Sequence, residues 1–359
     1  MNLLFYINAI HDGGAERVMI NLTKQFANLG HNVVLVTSFV DQWEYPVDEK
    51  VMRLSLEQEE ICQSRIARNL SRIRKLRKIC KEEKPDVAIS FMAEPNFRML
   101  LATIGLPTKT IISVRNNPNK EYAGKLGRLV GKCILPVADG CIFQTEQAKA
   151  WFPKRLRKKS AIIMNAVAEA FYNVKRQGGK NIVTLGRLTG QKNQAMLVRA
   201  FAGIADKYPG WNLRIYGQGE LQTHLEQLIQ SLGMEQRIYL MGATSQVPQI
   251  LGNAGVFVLP SDYEGMPNAL LEAMAVGVPS ISTDCPCGGP AMVIRHGENG
   301  LLIPVGDEQA LANALDSLLA EPKKAEKLGE QAKLDAQSFR PEKVFKLWKE
   351  YVQKVANGN

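Results

Sequence analysis

The sequence contains no run of about 18 apolar residues, so no segment reads as a membrane-spanning helix. The apolar opening, 1–10, lacks a basic leading stretch and a small-residue cleavage site. It reads as a first strand rather than a signal peptide, and residence in the cytoplasm is the expectation. Histidine is scarce: His11, His31, His224 and His296 are the four, and none is paired at metal-ligand spacing. The six cysteines, Cys62, Cys80, Cys133, Cys141, Cys285 and Cys287, form no Cys-x-x-Cys. That removes a redox dithiol or zinc motif and leaves reduced, mostly buried thiols. No Asp-x-Asp occurs, so a metal-bridged sugar diphosphate is not supported. The Gly-x-Gly-x-x-Gly fingerprint and the Gly-x4-Gly-Lys-Ser/Thr loop are also missing, which counts against a dehydrogenase and a P-loop enzyme. No Ser/His/Asp order with a nucleophile-elbow glycine pattern stands out.

What is present is a chain of 359 residues, 45% apolar and 22% charged, enough for two domains with sizeable cores. Its net charge of +10 is unevenly placed. Residues 1–176 carry 28 Lys and Arg against 17 Asp and Glu, and residues 177–359 carry 17 against 18. The first half is therefore the part that meets something anionic, whether nucleic acid, an acidic lipid surface or a phosphorylated substrate.

Short apolar runs at 3–10, 32–38, 86–91, 110–114 and 140–144 read as buried strands, each followed by a helical stretch. The pattern restarts at 181–185, 212–216, 237–241, 255–259 and 279–283. Continuous Val/Ile/Leu runs between helices mark parallel sheets covered on both faces. The chain is thus read as α/β, with doubly wound domains at 1–170 and 178–340. The segment 165–180 has no clear period and reads as a linker. The closing helix, 341–356, is expected to cross back to the first domain. Ligands of open α/β sheets lie beyond the carboxyl ends of the strands, so the expected site is a cleft between the domains.

Four loops could carry chemistry. After the first strand, Gly13 and Gly14 allow close backbone approach and open a helix whose N–H groups could meet an anion, although an ordinary turn looks the same. In Gly186-Arg187-Leu188-Thr189-Gly190-Gln191-Lys192-Asn193, two cations five residues apart suit a diphosphate, or a solvated loop. Gly217-Gln218-Gly219-Glu220 again permits close approach to a ligand. In the segment 261–273, Glu264 and Glu272 lie eight residues apart and could touch different parts of one extended ligand. A carboxylate suits sugar hydroxyls because it accepts two hydrogen bonds in fixed geometry, while Glu264 could also merely complement the helix dipole.

Basic residues Arg65, Arg68, Arg72, Arg74, Lys75, Arg77, Lys78 and Lys81 surround an apolar stripe of Ile66, Leu70, Ile73, Leu76 and Cys80. This basic amphipathic helix is either a core stripe with a solvated back or a contact with an anionic surface, for which Arg68, Arg72, Lys75 and Lys78 are the candidates. Trp151-Phe152-Pro153-Lys154-Arg155 adds an aromatic, basic tip.

In this order and on these strands, the motifs resemble the retaining GT-B glycosyltransferases of family four (glycosyl transferases group 1). GRLxxxKN, YGxGE, the Glu-x7-Glu segment and HGENGLLIPVGD carry the likeness, which extends over nearly the whole chain. The resemblance implies two Rossmann-like domains facing across a cleft and a nucleotide-sugar donor, with no metal and no other cofactor. It gives Arg187 and Lys192 to the donor diphosphate, Glu264 to the donor sugar, and Gly265, Met266 and Pro267 to the sugar's surroundings. Backbone N–H groups of Asn268, Ala269 and Leu270 would meet phosphate, Glu272 would hold ribose, and Gly14, Gly217 and Glu220 complete the donor side. Many members carry a His after the fifth strand of the first domain. Arg115 and Asn116 stand there instead, giving Arg115 a sugar, phosphate, acceptor or loop-supporting role.

The expected activity is retaining transfer of a hexose or N-acetylhexosamine, with UDP as the expected carrier, to a glycan or lipid-linked acceptor at the cytoplasmic membrane face. A sugar-nucleotide epimerase of the same fold is the alternative, disfavoured by the sparse histidine. Nucleic-acid binding by the basic half lacks a supporting motif or an aromatic stacking pattern.

Overall fold

A computed structural model describes residues 1–11, 13–41, 44–57 and 64–358. Asp12 and Cys62 lie outside the described residues. The chain divides into two units, Met1–Asn165 with Glu342–Asn359, and Ala166–Pro341.

The first unit is built on strands β1 (Asn2–Ile7), β2 (Asn32–Thr37), β3 (Val51–Ser55), β4 (Val87–Phe91), β5 (Lys109–Ser113), β6 (Gly140–Phe143) and β7 (Ser160–Ile162). They form one parallel sheet in the order β3-β2-β1-β4-β5-β6-β7. The strands are buried runs, not alternating ones, because helices cover both faces: all five residues of β4 are buried. The helix Gly14–Asn28 buries Met19, Leu22 and Phe26 on one face. Phe26 packs on Phe5, with ring centroids 5.9 Å apart, and edge-on against Phe345 at 4.9 Å.

Phe345 belongs to the closing helix, Pro341–Ala356, which packs on the first unit through Trp348, 1% exposed, and Val352. The Tyr351 hydroxyl donates to Lys159 O at 2.6 Å and accepts the Cys141 N–H at 2.8 Å.

The basic helix, Arg65–Glu83, starts where Ser64 Oγ accepts the Ala67 N–H. Its apolar stripe is divided: Leu76 and Cys80 are buried, but Ile66 is 75% and Leu70 49% exposed. One candidate surface cation is corrected here. Arg72 is buried, donating through Nε to Glu57 Oε1 at 2.8 Å and through Nη2 to Glu57 Oε2 at 2.9 Å. This pair pulls the Glu57 carboxyl below its usual range, so Arg72 is an internal contact. Lys75 is exposed and donates to Leu56 O, and Lys78 pairs with Glu82 at the surface.

The second unit contains β8 (Asn181–Leu185), β9 (Asn212–Tyr216), β10 (Ile238–Gly242), β11 (Val256–Leu259), β12 (Ser280–Thr283) and β13 (Leu301–Ile303). They form a parallel sheet ordered β10-β9-β8-β11-β12-β13. All of the expected linker but Asn165 is part of this unit. It holds a short helix, Glu169–Tyr172, with Phe171 and Tyr172 buried. The Tyr172 hydroxyl donates to Ala336 O at 2.8 Å, and the Val167 N–H to Phe339 O at 2.9 Å.

Candidate functional site

In each sheet the strand order reverses once, between β1 and β4 and between β8 and β11. Strand-end loops separate at such points and leave a crevice at the carboxyl edge. The loops after β8 and β11 carry Arg187, Lys192, Asp262 and Glu264.

Those two loops are joined by side chains. Gln191 O accepts the Asp262 N–H at 2.9 Å, and Gln191 Nε2 donates to Tyr263 O at 2.9 Å. Asn193 sits in the left-handed region, φ 44°. There its Oδ1 caps the helix Gln194–Ala202, while its Nδ2 donates to Asp262 Oδ1 at 2.8 Å. Asn tolerates that backbone better than most residues, which accounts for its place after Lys192.

Lys192 Nζ lies 2.5 Å from Glu264 Oε1, with side chains 18% and 8% exposed. Ser261 Oγ donates to the same oxygen at 2.7 Å. Glu264 is fixed at its backbone as well: its N–H donates to Pro286 O at 2.7 Å and its O accepts the Cys287 N–H at 2.8 Å. Lys192 is therefore a cation held against a carboxylate, while Arg187 is exposed and its carbonyl accepts from Gln194 Nε2 and from the Thr189 N–H. Burial, with the Glu264 charge nearby, pushes the Cys285 thiol up to about 12, which makes it inert as a nucleophile. Cys80, Cys133, Cys141 and Cys287 are also free, and Cys133 alone among them is exposed.

Gly217 and Gly219 have a packing role that the sequence reading did not foresee. A Cβ on Gly217, φ +142°, would fall 1.9 Å from Gly186 O, and one on Gly219 would fall 2.4 Å from Leu188 O. Leu188 donates its N–H to Gln218 O at 2.9 Å and accepts the Leu221 N–H at 3.0 Å. These glycines let the β9 loop lie against the β8 loop and so shape the backbone around Arg187. Glu220 is exposed.

Gly265, Met266 and Pro267 are buried. Pro267 precedes the helix Asn268–Val276, at whose head stand Asn268 and Ala269. The Leu270 N–H donates to Pro267 O at 3.1 Å. Glu272 is buried, one turn into the helix.

In the first unit, Gly13 rather than Gly14 is the crowded glycine: a Cβ there would meet the Glu16 carboxylate at 1.7 Å. Gly14 is exposed at the helix start. Arg115 is buried and stacks over the Phe91 ring at 4.4 Å, while Asn116 Oδ1 accepts the Asn117 N–H. Burial lowers the Arg115 guanidinium to about 9, opposed by the charges of Glu16 and Glu121. Burial raises the Glu121 carboxyl to about 7, opposed by Arg115. Sequence reading missed Glu121, whose four-residue helix has no motif to mark it. Among the described residues, no three His, Cys, Asp or Glu side chains gather as a metal site. None of the described helices is long and apolar enough to cross a membrane.

Two parallel sheets with these strand-end loops define the GT-B class, a two-domain Rossmann-like fold of glycosyltransferases. Residues 12–170 match the model described as Glycosyltransferase Family 4, and residues 168–335 match Glycosyl transferases group 1. The chain belongs to glycosyltransferase family 4, and it is a glycosyltransferase. It is 28% identical over 99% of both chains to a Campylobacter jejuni alpha-1,4-N-acetyl-D-galactosaminyltransferase named for the substrate GalNAc-alpha-(1->4)-GalNAc-alpha-(1->3)-diNAcBac-PP-undecaprenol. It is 36% identical over 219 residues to a Streptomyces coelicolor exopolysaccharide phosphotransferase, of which it spans only 23%. Among solved structures, Anabaena Alr3699/HepE in complex with UDP and glucose superposes with TM-score 0.82 over 99% of this chain and 100% of that one, at 17% identity.

Proposed function

We propose that the protein transfers a hexose or N-acetylhexosamine from a UDP-sugar, with retention and without a metal, to a growing surface glycan or lipid-linked acceptor at the cytoplasmic face of the membrane. The observation that carries this reading is the Lys192–Glu264 pair beside Arg187 at the β8/β11 reversal, 2.5 Å between Nζ and Oε1. Both bonds to Glu264 converge on Oε1, leaving Oε2 to accept from a donor-sugar hydroxyl. Lys192, so positioned, and Arg187, so exposed, supply the positive charge that a departing nucleoside diphosphate needs. Asn268 and Ala269 present a helix N-terminus to phosphate, and Glu272, on the same helix, reaches the ribose hydroxyls. The charge developed on the leaving phosphate is met by side chains already in place, so little reorganisation is needed.

The UDP complex of the Anabaena neighbour supports the nucleotide, and the Campylobacter relative's named substrate supports a lipid-linked glycan acceptor. Membrane attachment is supported by Ile66 and Leu70, exposed on a helix that also exposes Arg74, Lys75 and Lys78. Each basic residue near an acidic leaflet contributes about 1 kcal/mol. The test is a screen of UDP-, GDP- and ADP-sugars for release of the nucleoside diphosphate, in chelator. A UDP-sugar hydrolysed without metal is the expected result. Strict dependence on added metal, or no turnover of any UDP-sugar, would contradict the reading.

A further inference from the structure

The first unit carries an exposed surface that the donor loops do not use. Between β5 and β6 the chain runs through a short helix, Gly124–Leu129, a π-helical turn, Val130–Ile134, and a 3-10 turn, Leu135–Val137. Gly127 and Gly131 are four residues apart and share a face. A Cβ on Gly127 would fall 2.6 Å from the Tyr122 carbonyl carbon, and one on Gly131 would fall 2.6 Å from Trp151 Cζ3. The two glycines therefore let this face lie directly on Tyr122 and Trp151. The base beneath is fixed. The two rings stack at 5.7 Å, Phe152 meets Trp151 edge-on at 4.7 Å, and Trp151 Nε1 donates to Asn119 Oδ1 at 2.8 Å. Trp151, which the sequence suggested as part of an aromatic tip, is a half-buried support.

With the glycines inward, the large apolar side chains face water. Leu126 is 75%, Leu129 52% and Val137 61% exposed. Lys125, Arg128 and Lys132 are exposed among them, and no Asp or Glu occurs from 122 to 138. Lys132 Nζ lies 3.9 Å from the centre of the Trp151 ring, which ties this segment to the neighbouring helix Lys154–Arg157, where Lys154, Arg155 and Arg157 are exposed. Partial desolvation, and then the charges of Arg128 and Arg157, lower the Lys132 ammonium from its usual range. Cations from two elements are thus gathered against their mutual repulsion, with no acidic residue in either element.

That combination selects an occupant. An anionic bilayer answers both parts, since its headgroups meet the cations while the leucines enter the acyl boundary. A second copy of this chain would set the same cations against one another. A free phosphate would leave the leucines in water.

We propose that the segment 124–137 is a membrane-inserting element, with Leu126, Leu129 and Val137 entering an anionic leaflet and Lys125, Arg128 and Lys132 meeting its headgroups. It rests on the membrane-face reading only for the enzyme's meeting a bilayer at all, and it names a contact other than the helix Arg65–Glu83.

Cys133, exposed within the segment, supplies the probe. The full chain carrying Cys62→Ser is labelled at Cys133 with an environment-sensitive fluorophore. It is mixed with vesicles of phosphatidylcholine alone or of equal parts phosphatidylcholine and phosphatidylserine. Emission should shift to the blue with the anionic vesicles only. The double variant Leu126→Gln, Leu129→Gln should lose the shift and need about tenfold more anionic lipid for half-maximal sedimentation. Its urea midpoint, and its release of UDP from a UDP-sugar without vesicles, should match wild type, because both side chains are already exposed. Lys125→Gln with Arg128→Gln should weaken sedimentation and make it less sensitive to salt. Sedimentation unaffected by the leucine changes, with no shift at Cys133, would overturn the proposal and leave attachment to the helix Arg65–Glu83. Equal binding to both kinds of vesicle, or dimers in solution that Leu126→Gln abolishes, would also overturn it. No sedimentation of wild type with either vesicle would overturn it together with the membrane-face reading, while UDP release would still test the glycosyltransferase.

Discussion

Lys192 carries the electrostatics of the proposed donor site at the scale of a single residue. It is positioned by Glu264 on one side and by the left-handed Asn193 that follows it on the other. Lys192→Ala removes a cation at the departing diphosphate and should lower kcat by about 10²–10³. Near-normal turnover in a steady-state assay would take Lys192 out of the site. Glu121 gives a second prediction at this scale. Burial raises its carboxyl from the ordinary 4.5 to about 7. Between those values the folded protein keeps a proton that the unfolded chain has released, so stability falls as pH rises through the window. The fall can reach about 3 kcal/mol. Urea midpoints at about pH 5 and about pH 7.5 should differ more in wild type than in Glu121→Gln. Identical pH dependence would remove the buried carboxylate.

At the scale of elements, motif spacing marked the loops after β8, β9 and β11 but not how their glycines pack. Arg187, Lys192, Glu264 and Glu272 stood out because each follows a strand or lies in a helix that the sequence marks clearly. Gly217 and Gly219 suggested ligand approach, but their close neighbours are Gly186 O and Leu188 O, a packing of loop on loop that spacing does not reveal. Strands β3, β7 and β13 were not anticipated; β7 and β13 are three residues long and β3 is mostly half-buried, too little for a hydrophobic pattern. The basic helix shows the same limit. Its charge was legible, but the bond from Arg72 to Glu57, fifteen residues back, was not. The two kinds of cation should separate by experiment. Charge reversal of Lys75 and Lys78 should reduce pelleting with phosphatidylserine vesicles while leaving the urea midpoint nearly unchanged. Arg72→Glu should cost about 3 kcal/mol of stability, since it strands Glu57 beside a new acid. Undiminished pelleting of the double reversal would free the helix from any membrane role.

The whole molecule has two units, each built on a parallel sheet, of seven strands in the first and six in the second. The first, residues 1–165 with 342–359, carries the positive excess, 30 basic against 18 acidic residues. The second is nearly neutral and carries the residues proposed for the donor. The closing helix ties the end of the chain to the first unit through Trp348 and Tyr351, which its apolar spacing and lysines suggested. In the proposed reading, net charge bears on where the enzyme works, and a few residues at the β8/β11 reversal bear on what it does. The central claim is that the second unit binds the donor nucleotide, with Glu272 on the ribose. Calorimetric titration of UDP into wild type and Glu272→Ala tests it most directly. Binding by wild type and a tenfold or greater loss in the variant, about 1.4 kcal/mol, is the predicted result. Equal UDP affinity in the two proteins would contradict it.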